Sequence, residues 1–184
     1  MNRPQLLAQL RAHTPIDEHE RSMFERLTAF VTAHDNFHSR ALLVGHLTGS
    51  AWVLDRERQH ALLTHHRKLS LWVQLGGHVD DDDASMRDAA WREAREESGL
   101  HEVQLINDNI FDIDIHAIPA RRDEAAHYHY DVRYLFEADR HAPLIVSSES
   151  KELAWVALDE IEKLTQEESV LRMVRKTKQL NESI

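Results

Sequence analysis

The sequence has no cysteine among its 184 residues, and it has no uninterrupted run of eighteen apolar residues. The lack of cysteine excludes disulfides and thiol catalysis and is compatible with the reducing cytoplasm. Without a long apolar run or a basic-then-apolar N-terminus, neither a membrane span nor a secretion signal is predicted. We therefore expect a cytoplasmic protein that has no membrane partner.

Positive charge is also scarce: 22 Lys and Arg stand against 32 Asp and Glu, for a formal net charge of −10. Such a chain is poorly suited to a nucleic-acid polymer, whose phosphates attract basic surfaces. A small phosphorylated substrate remains compatible with this charge, because a bound metal ion can supply positive charge locally. The length predicts one domain with an additional element, and the 42% apolar content can fill a core.

The segment from Gly76 to Leu100 reads as a strand end, a glycine turn, an acidic loop and a helix. Asp82 or Asp83 is the expected N-cap of this helix, and Gly99 stands where a left-handed residue usually ends one. Small apolar residues recur on one side of the helix and could lie close against a sheet. They are Met86, Ala89, Ala90 and Ala94.

Three glutamates lie beside that stripe. Glu93, Glu96 and Glu97 are spaced i, i+3, i+4, so their carboxylates project from one helical face. Such carboxylates repel one another unless a cation neutralises them, and hard oxygen ligands favour Mg²⁺, with Mn²⁺ as the alternative. Arg92 lies one turn before Glu96 and can hold a carboxylate in place. Taken alone, the same pattern also fits a solvated, salt-bridged helix face.

The wider pattern resembles the Nudix hydrolase signature, Gly-x5-Glu-x7-Arg-Glu-U-x-Glu-Glu-x-Gly-U, where U is a bulky apolar residue. The matching positions are Gly77, Arg92, Glu93, Glu96, Glu97, Gly99 and Leu100. There are departures: Asp83 replaces the usual glutamate, one extra residue separates it from Arg92, and Ala94 is small for its apolar position. The block from Arg92 to Leu100 keeps its internal spacing.

This resemblance covers roughly residues 38–165 and implies an α/β protein, an α/β/α sandwich around a mixed sheet. It implies hydrolysis of a diphosphate linkage in a nucleoside diphosphate joined to another group. It also implies that Glu93, Glu96 and Glu97 hold the metal, with Gly77 adding a backbone carbonyl. The general base is Glu97, Glu149 or Glu152. A non-catalytic nucleotide-binding module of the same fold is the alternative, whereas an isomerase branch of the family uses a cysteine that is missing here.

Residues 1–36 read as an N-terminal helical extension, and residues 37–184 as the Nudix domain. Two amphipathic segments account for the extension, and Asp17 is the expected N-cap of the second. The extension could pack on the domain, form a dimer surface or cover the site. Packing is the default for an amphipathic helix.

Short apolar runs predict strands at 41–44, 50–54, 60–64, 71–75, 144–146 and 154–156. Gly45–Gly49 reads as a turn or edge, and residues 169–180 as a terminal amphipathic helix. The basic residues Arg67 and Lys68 precede the strand that leads into the signature. They predict either contact with a substrate phosphate or a solvated loop.

Two segments with strict alternation, 111–116 and 127–134, predict a hairpin with one polar face. The register that sorts both faces pairs Asp112 with Arg133, Asp114 with Asp131 and His116 with His129. This polar face could meet solvent, line the substrate cleft or hold a second metal, and solvent or cleft is the default. The preferred hypothesis is that His116 and His129 contact the substrate.

Overall fold

The computed structural model describes residues 1–121 and 125–182, and a mixed seven-stranded sheet lies at its centre. The strands are β1 (Gly45–Asp55), β2 (His60–His66), β3 (Leu71–Val73), β4 (Leu75–His78), β5 (Val103–Ile118), β6 (His127–Ala138) and β7 (Ser150–Ala157). The helices are α1 (Arg3–Ala12), α2 (Glu18–Ala33), α3 (Met86–Ser98) and α4 (Glu168–Glu182), with a 3₁₀ turn at Ile161–Lys163. None of the helices in the described ranges is long and apolar enough to cross a bilayer.

Strand β1 organises the sheet. It pairs in parallel with β6 over its whole length, and β6 pairs antiparallel with β5. On its other side β1 pairs antiparallel with β4 near its start and with β2 near its end. Strand β2 carries β3 and β7 as further antiparallel neighbours. Because parallel pairing needs a crossover, the chain passes through α3 between β1 and β6.

Helices cover both faces of the sheet, as the predicted sandwich requires. Alternation along β1 sends Leu47 and Ala51 toward the face on which α3 packs. Phe30 of α2 lies on that face too, stacked on Tyr130 at a centroid distance of 4.0 Å. Helix α4 covers the other face, where Trp52 donates its indole N–H to Thr177 at 2.9 Å.

The N-terminal helices pack on the domain, which is the default that the sequence predicted. Asp17 caps α2 as expected, its side chain accepting from the Glu20 amide. Glu20 is buried and accepts hydrogen bonds from His13 and from Lys176 of α4. Burial alone would raise the pKa of Glu20, but these partners outweigh it and lower the pKa to about 2. The division at residue 36 stays a prediction.

The predicted register of β5 and β6 is confirmed: Asp112 faces Arg133, Asp114 faces Asp131 and His116 faces His129. Most of this polar face does not meet solvent, because α4 and the neighbouring strands bury Asp112, Asp131 and Arg133. The buried charges pair with one another.

Arg172 of α4 provides the central pairing. Its guanidinium donates two hydrogen bonds of 2.8 Å to the Asp112 carboxylate and a third to the carbonyl of Ile113. Arg133 donates to Asp131 at 2.7 Å. Burial would raise the pKa of Asp114, but the His116 hydrogen bond and the charges of Arg133 and Arg172 outweigh it, so the net shift is downward.

Three local predictions are wrong. Residues 41–44 form turns rather than a strand, and Leu43 and Val44 are exposed. Gly45–Gly49 is not a turn but the first half of β1, because its parallel partner β6 lies some eighty residues away and leaves no local sequence signal. Residues 144–146 form no strand: the Ile145 amide donates to Ser98 at 2.8 Å, and the Ile145 side chain covers Gly99.

Residues 71–75 are split at Gln74 into β3 and β4, and the predicted glycine turn is itself part of β4, with Gly76 and Gly77 paired to β1. The terminal helix and the strand at 154–156 are present within α4 and β7. The connection between the two strands of the predicted hairpin includes residues 122–124, which lie outside the described part of the chain.

We expect Arg172→Met to lower the free energy of unfolding by about 3 kcal/mol, the lower end of the cost of breaking a buried ion pair, because Asp112 loses its two hydrogen bonds from Arg172 but keeps Lys176 and Arg133. The matched control is Arg175→Met, one turn on, where an exposed pair with Glu168 is lost at a cost of about 0–1 kcal/mol. Urea unfolding of both variants measures the difference. Equal losses would show that the buried pairing adds nothing beyond a surface contact.

Candidate active site on helix α3

Helix α3 begins one turn later than expected. Its N-cap is Ser85, whose hydroxyl accepts from the Asp88 amide, so the prediction of Asp82 or Asp83 is wrong. Ser85 satisfies the first free amides of the helix, and Asp83 is left for another contact. Gly99 ends the helix with φ of 71°, as predicted. The stripe of Met86, Ala89, Ala90 and Ala94 is buried, also as predicted.

Glycines let this helix approach the sheet very closely. A Cβ atom added to Gly49 would lie 3.0 Å from the backbone of α3. One added to Gly77 would lie 2.5 Å from a carboxylate oxygen of Glu93. Side chains at these positions would push the helix away or displace the carboxylate. The glycines of β1 and β4 therefore hold Glu93 directly against the backbone of β4.

Arg92 fixes the acidic face of the helix, as its position predicted. Its guanidinium donates to Asp83 at 2.8 Å, to Glu93 at 2.9 Å and to Glu96 at 3.1 Å. It also donates to the carbonyl of His78 at 2.8 Å. The hydrogen bond that Arg92 donates to Asp83 is the largest cause of the raised pKa of Arg92. Asp83 thus positions Arg92, a role that the sequence did not reveal.

Glu97 is buried and Glu93 is largely buried, with a side chain 16% exposed, whereas the Glu96 side chain is 59% exposed. Burial raises the pKa of Glu93 to about 7, and the Arg92 contacts only partly oppose this. Burial also raises the pKa of Glu97 to about 8, although Glu97 accepts from the Gly76 amide at 3.0 Å. The charges of Glu96 and Glu149 also raise the pKa of Glu93, and those of Glu93 and Glu149 raise the pKa of Glu97.

This donor set fits a divalent cation. Two carboxylates that lie close together and away from water resist ionisation. A cation bound between them would offset both the loss of water and the repulsion of like charges. The oxygens are hard ligands of the kind that Mg²⁺ and Mn²⁺ prefer. Gly77 lies against Glu93, and the amide of its neighbour Gly76 donates to Glu97, so both glutamates meet the backbone of β4. The structure thus brings Gly77, Glu93 and Glu97 together, with Glu96 at the exposed rim.

Glu149 and Glu152, the other two candidates for the general base, differ in their relation to Glu93 and Glu97. The charge of Glu149 contributes to the raised pKa of both Glu93 and Glu97, which places it near the acidic face. Glu152 is exposed on β7 opposite His65 and contributes to neither. Arg67 donates to the carbonyls of Ser148 and Ser150, so it anchors the segment that carries Glu149. Lys68 is exposed.

Histidines gather on the other face of the sheet. His116 and His129 lie on the same face, as predicted, with ring centroids 5.4 Å apart. His46, His78 and His127 join them, and the centroid of each lies 5.1 Å or less from another ring of the group. Burial, followed by the four neighbouring histidines, lowers the pKa of His129 to about 2. The sequence analysis did not single out His46 or His78, because it placed one in a turn and the other in a glycine loop.

Comparison with known proteins agrees with this geometry. A family model described as the NUDIX domain matches residues 46–176, which is most of the chain and includes all of α3. No curated protein sequence matches the chain.

Solved structures share the fold at low sequence identity. The C. elegans Ap4A hydrolase, in a binary complex, has 16% identity and a TM-score of 0.60, with 75% of this chain and 98% of that chain covered. The Nudix hydrolase RenU of M. smegmatis has 17% identity and a TM-score of 0.56, covering 76% and 88%. The NUDIX domain of Shewanella oneidensis NrtR, complexed with ADP ribose, has 15% identity and a TM-score of 0.54, covering 82% and 96%. These likenesses confirm the predicted sandwich.

The raised pKa of Glu97 predicts how stability responds to pH and to cations. The folded protein holds this proton more tightly than the unfolded chain, whose ordinary value is 4.5. The metal-free protein should therefore lose stability as the pH rises from about 4.5 to about 8. Mg²⁺ binds the ionised pair, so it should raise Tm more at about pH 8.5 than at about pH 6.

Thermal melts of wild type, Glu97→Gln and the exposed control Glu102→Gln measure this effect. Glu97→Gln should lose most of the Mg²⁺ response, and Glu102→Gln should retain it. A response that survives in Glu97→Gln, or that is larger at low pH, would contradict a cation site at this pair.

Proposed function

Because the chain belongs to the NUDIX domain family, we propose that it is a Mg²⁺-dependent hydrolase that cleaves a diphosphate linkage in a small nucleotide derivative, with Mn²⁺ as the alternative ion. The observation that carries the proposal is the pair of buried glutamates, Glu93 and Glu97, held against β4 with raised pKa values. Acids whose pKa values are shifted this far by burial and by neighbouring charge are candidates for functional groups.

The proposed substrate class follows from the structural relatives. One relative is an Ap4A hydrolase and another is complexed with ADP ribose, and both of these ligands contain phosphoric anhydride bonds. A bound divalent cation would neutralise phosphate oxygens and increase the acidity of a coordinated water. Residues Glu93, Glu96 and Glu97 would hold that cation, with the carbonyl of Gly77, and Arg92 would keep the carboxylates in place.

We assign the proton-accepting role to Glu149 among the three candidates. Its charge reaches the buried pair, and its side chain is exposed, so it can receive a proton from an attacking water and release it to solvent. Glu97 is already engaged by the Gly76 amide. Glu152 is exposed within β7, where it lies opposite His65 of β2. Arg67 would orient the loop, and Lys68 would contact a substrate phosphate, whereas His116 lies on the sheet face opposite α3 and has no part in this proposal.

A second function stays in view: a nucleotide-binding module of this fold that does not catalyse. The departure at Asp83 favours it, since Asp83 is tied to Arg92 rather than directed at the buried pair. Retention of all three glutamates favours the enzyme. The proposed location is the cytoplasm, and a homodimer through the N-terminal helices remains a proposal.

A substrate screen tests the hydrolase directly. Purified protein with Mg²⁺ is assayed for phosphate release, after phosphatase treatment, on ADP ribose, dinucleoside polyphosphates, nucleotide sugars and nucleoside triphosphates. We expect turnover of at least one class, and a loss of at least about 10²-fold in Glu96→Gln and Glu97→Gln with the fold intact. Binding of a nucleotide without turnover would instead support the module, and full activity in both variants would remove α3 from the mechanism.

The assignment of Glu149 has its own test. Glu149→Gln should lower kcat by about 10²-fold or more with little change in KM, because a general base is lost while the cation ligands remain. Glu152→Gln, in the strand β7 that follows the turn carrying Glu149, is the matched control and should keep nearly all activity. The reverse order of effects would transfer the role to Glu152, and equal retention would return it to Glu97.

A further inference from the structure

We propose that His46, His127 and His129 form a binding site for one divalent transition-metal ion of the zinc class, on the sheet face opposite α3. One nitrogen from each ring can be chosen so that all three lie within 4.8 Å of one another. The proposal concerns a second metal centre and does not depend on the hydrolase activity.

The strand pairing builds this cluster. His46 on β1 lies directly beside His129 on β6, and His127 is two residues before His129, so alternation sends all three rings to one face. The contacts of Thr48 and Gly49 show which face of the sheet carries the three rings. Thr48 shares the face of His46 and hydrogen-bonds to Asp131, whereas Gly49 packs on α3. The histidines therefore lie on the side of the sheet away from the glutamate helix.

The nitrogen geometry suits a shared ion. Two imidazole nitrogens bound at about 2.0–2.1 Å to one tetrahedral zinc lie roughly 3.3–3.4 Å apart. The Nε2 atoms of His127 and His129 are 3.3 Å apart. One nitrogen of His46 belongs to the same group, within 4.8 Å of one nitrogen of each of the other two rings.

The tautomer of His127 also suits a ligand. Its Nδ1 lies 2.9 Å from the carbonyl oxygen of Ala125, which can only accept, so Nδ1 carries the proton. The lone pair of the neutral ring is then on Nε2, which faces His129. A ring N–H held by a backbone carbonyl is the usual support of a metal-binding histidine.

Burial and access are compatible with binding. His46 and His127 are buried, and His129 is partly buried. His116 lies beside His129, and its side chain is 45% exposed, so an ion can reach the three histidines from solvent on this side. Nitrogen donors favour zinc-class ions over the Mg²⁺ expected at the glutamates.

The alternative is an N–H···N hydrogen bond between His127 and His129 with no ion. Untagged, chelator-treated full-length protein is titrated with Zn²⁺ by calorimetry in excess Mg²⁺, which occupies oxygen sites but competes poorly for imidazole. We expect one tight Zn²⁺ per chain, a higher Tm, and loss of the tight step in His127→Ala and in His129→Ala. The exposed-histidine control His101→Ala, and Glu97→Gln, should both keep it.

A second measurement needs no variant, so misfolding cannot obscure the answer. Co²⁺ in a nitrogen-ligated tetrahedral site absorbs visible light far more strongly than Co²⁺ in water, and we expect that spectrum from wild type and its loss on adding Zn²⁺. Three results would overturn the proposal: no tight Zn²⁺ in wild type, Zn²⁺ retained in both histidine variants, or Zn²⁺ lost in Glu97→Gln alone. None of these depends on hydrolysis, so the two proposals fail separately.

Discussion

The close approach of helix α3 to the sheet is the constraint on which the candidate active site depends. Gly49 lets the helix backbone settle onto β1, and Gly77 leaves room for the Glu93 carboxylate against β4. That approach removes water from Glu93 and Glu97, and the loss of water is the main cause of their raised pKa values. Packing therefore makes the ionised glutamates unfavourable without a cation. Arg92 offsets this only in part, by lowering the pKa of Glu93.

The opposite face of the sheet is organised by charge rather than by small residues. Arg172 joins α4 to Asp112 of β5, and Arg133 joins Asp131 to the same layer. Buried ion pairs are weak sources of net stability, but breaking one is costly, so they hold α4 to one register. The histidines of β1, β5 and β6 lie on the same face as these ion pairs. The two faces of the sheet therefore differ chemically, with carboxylates beside α3 and imidazoles on the opposite face.

Local and strictly periodic signals were sufficient for much of the fold. Alternation alone predicted the register of β5 and β6, and the small-residue stripe and Gly99 predicted the buried face and end of α3. Features fixed by distant partners were not predictable in this way. The start of β1 depends on parallel pairing with β6, so Gly45–Gly49 looked like a turn and His46 was overlooked. Asp83 looked like a helix cap because nothing local shows that Arg92 reaches back across nine residues to it.

The central claim is that Glu93 and Glu97 hold a divalent cation against β4, and a crystal soaked in Mn²⁺ tests it most directly. Anomalous scattering locates Mn²⁺ without reference to activity or substrate. The account predicts one strong anomalous peak within bonding distance, about 2.2 Å, of carboxylate oxygens from both glutamates, with the Gly77 carbonyl in its coordination sphere. A peak only at other carboxylates, or none at this pair while the crystal contains Mn²⁺ elsewhere, would contradict it.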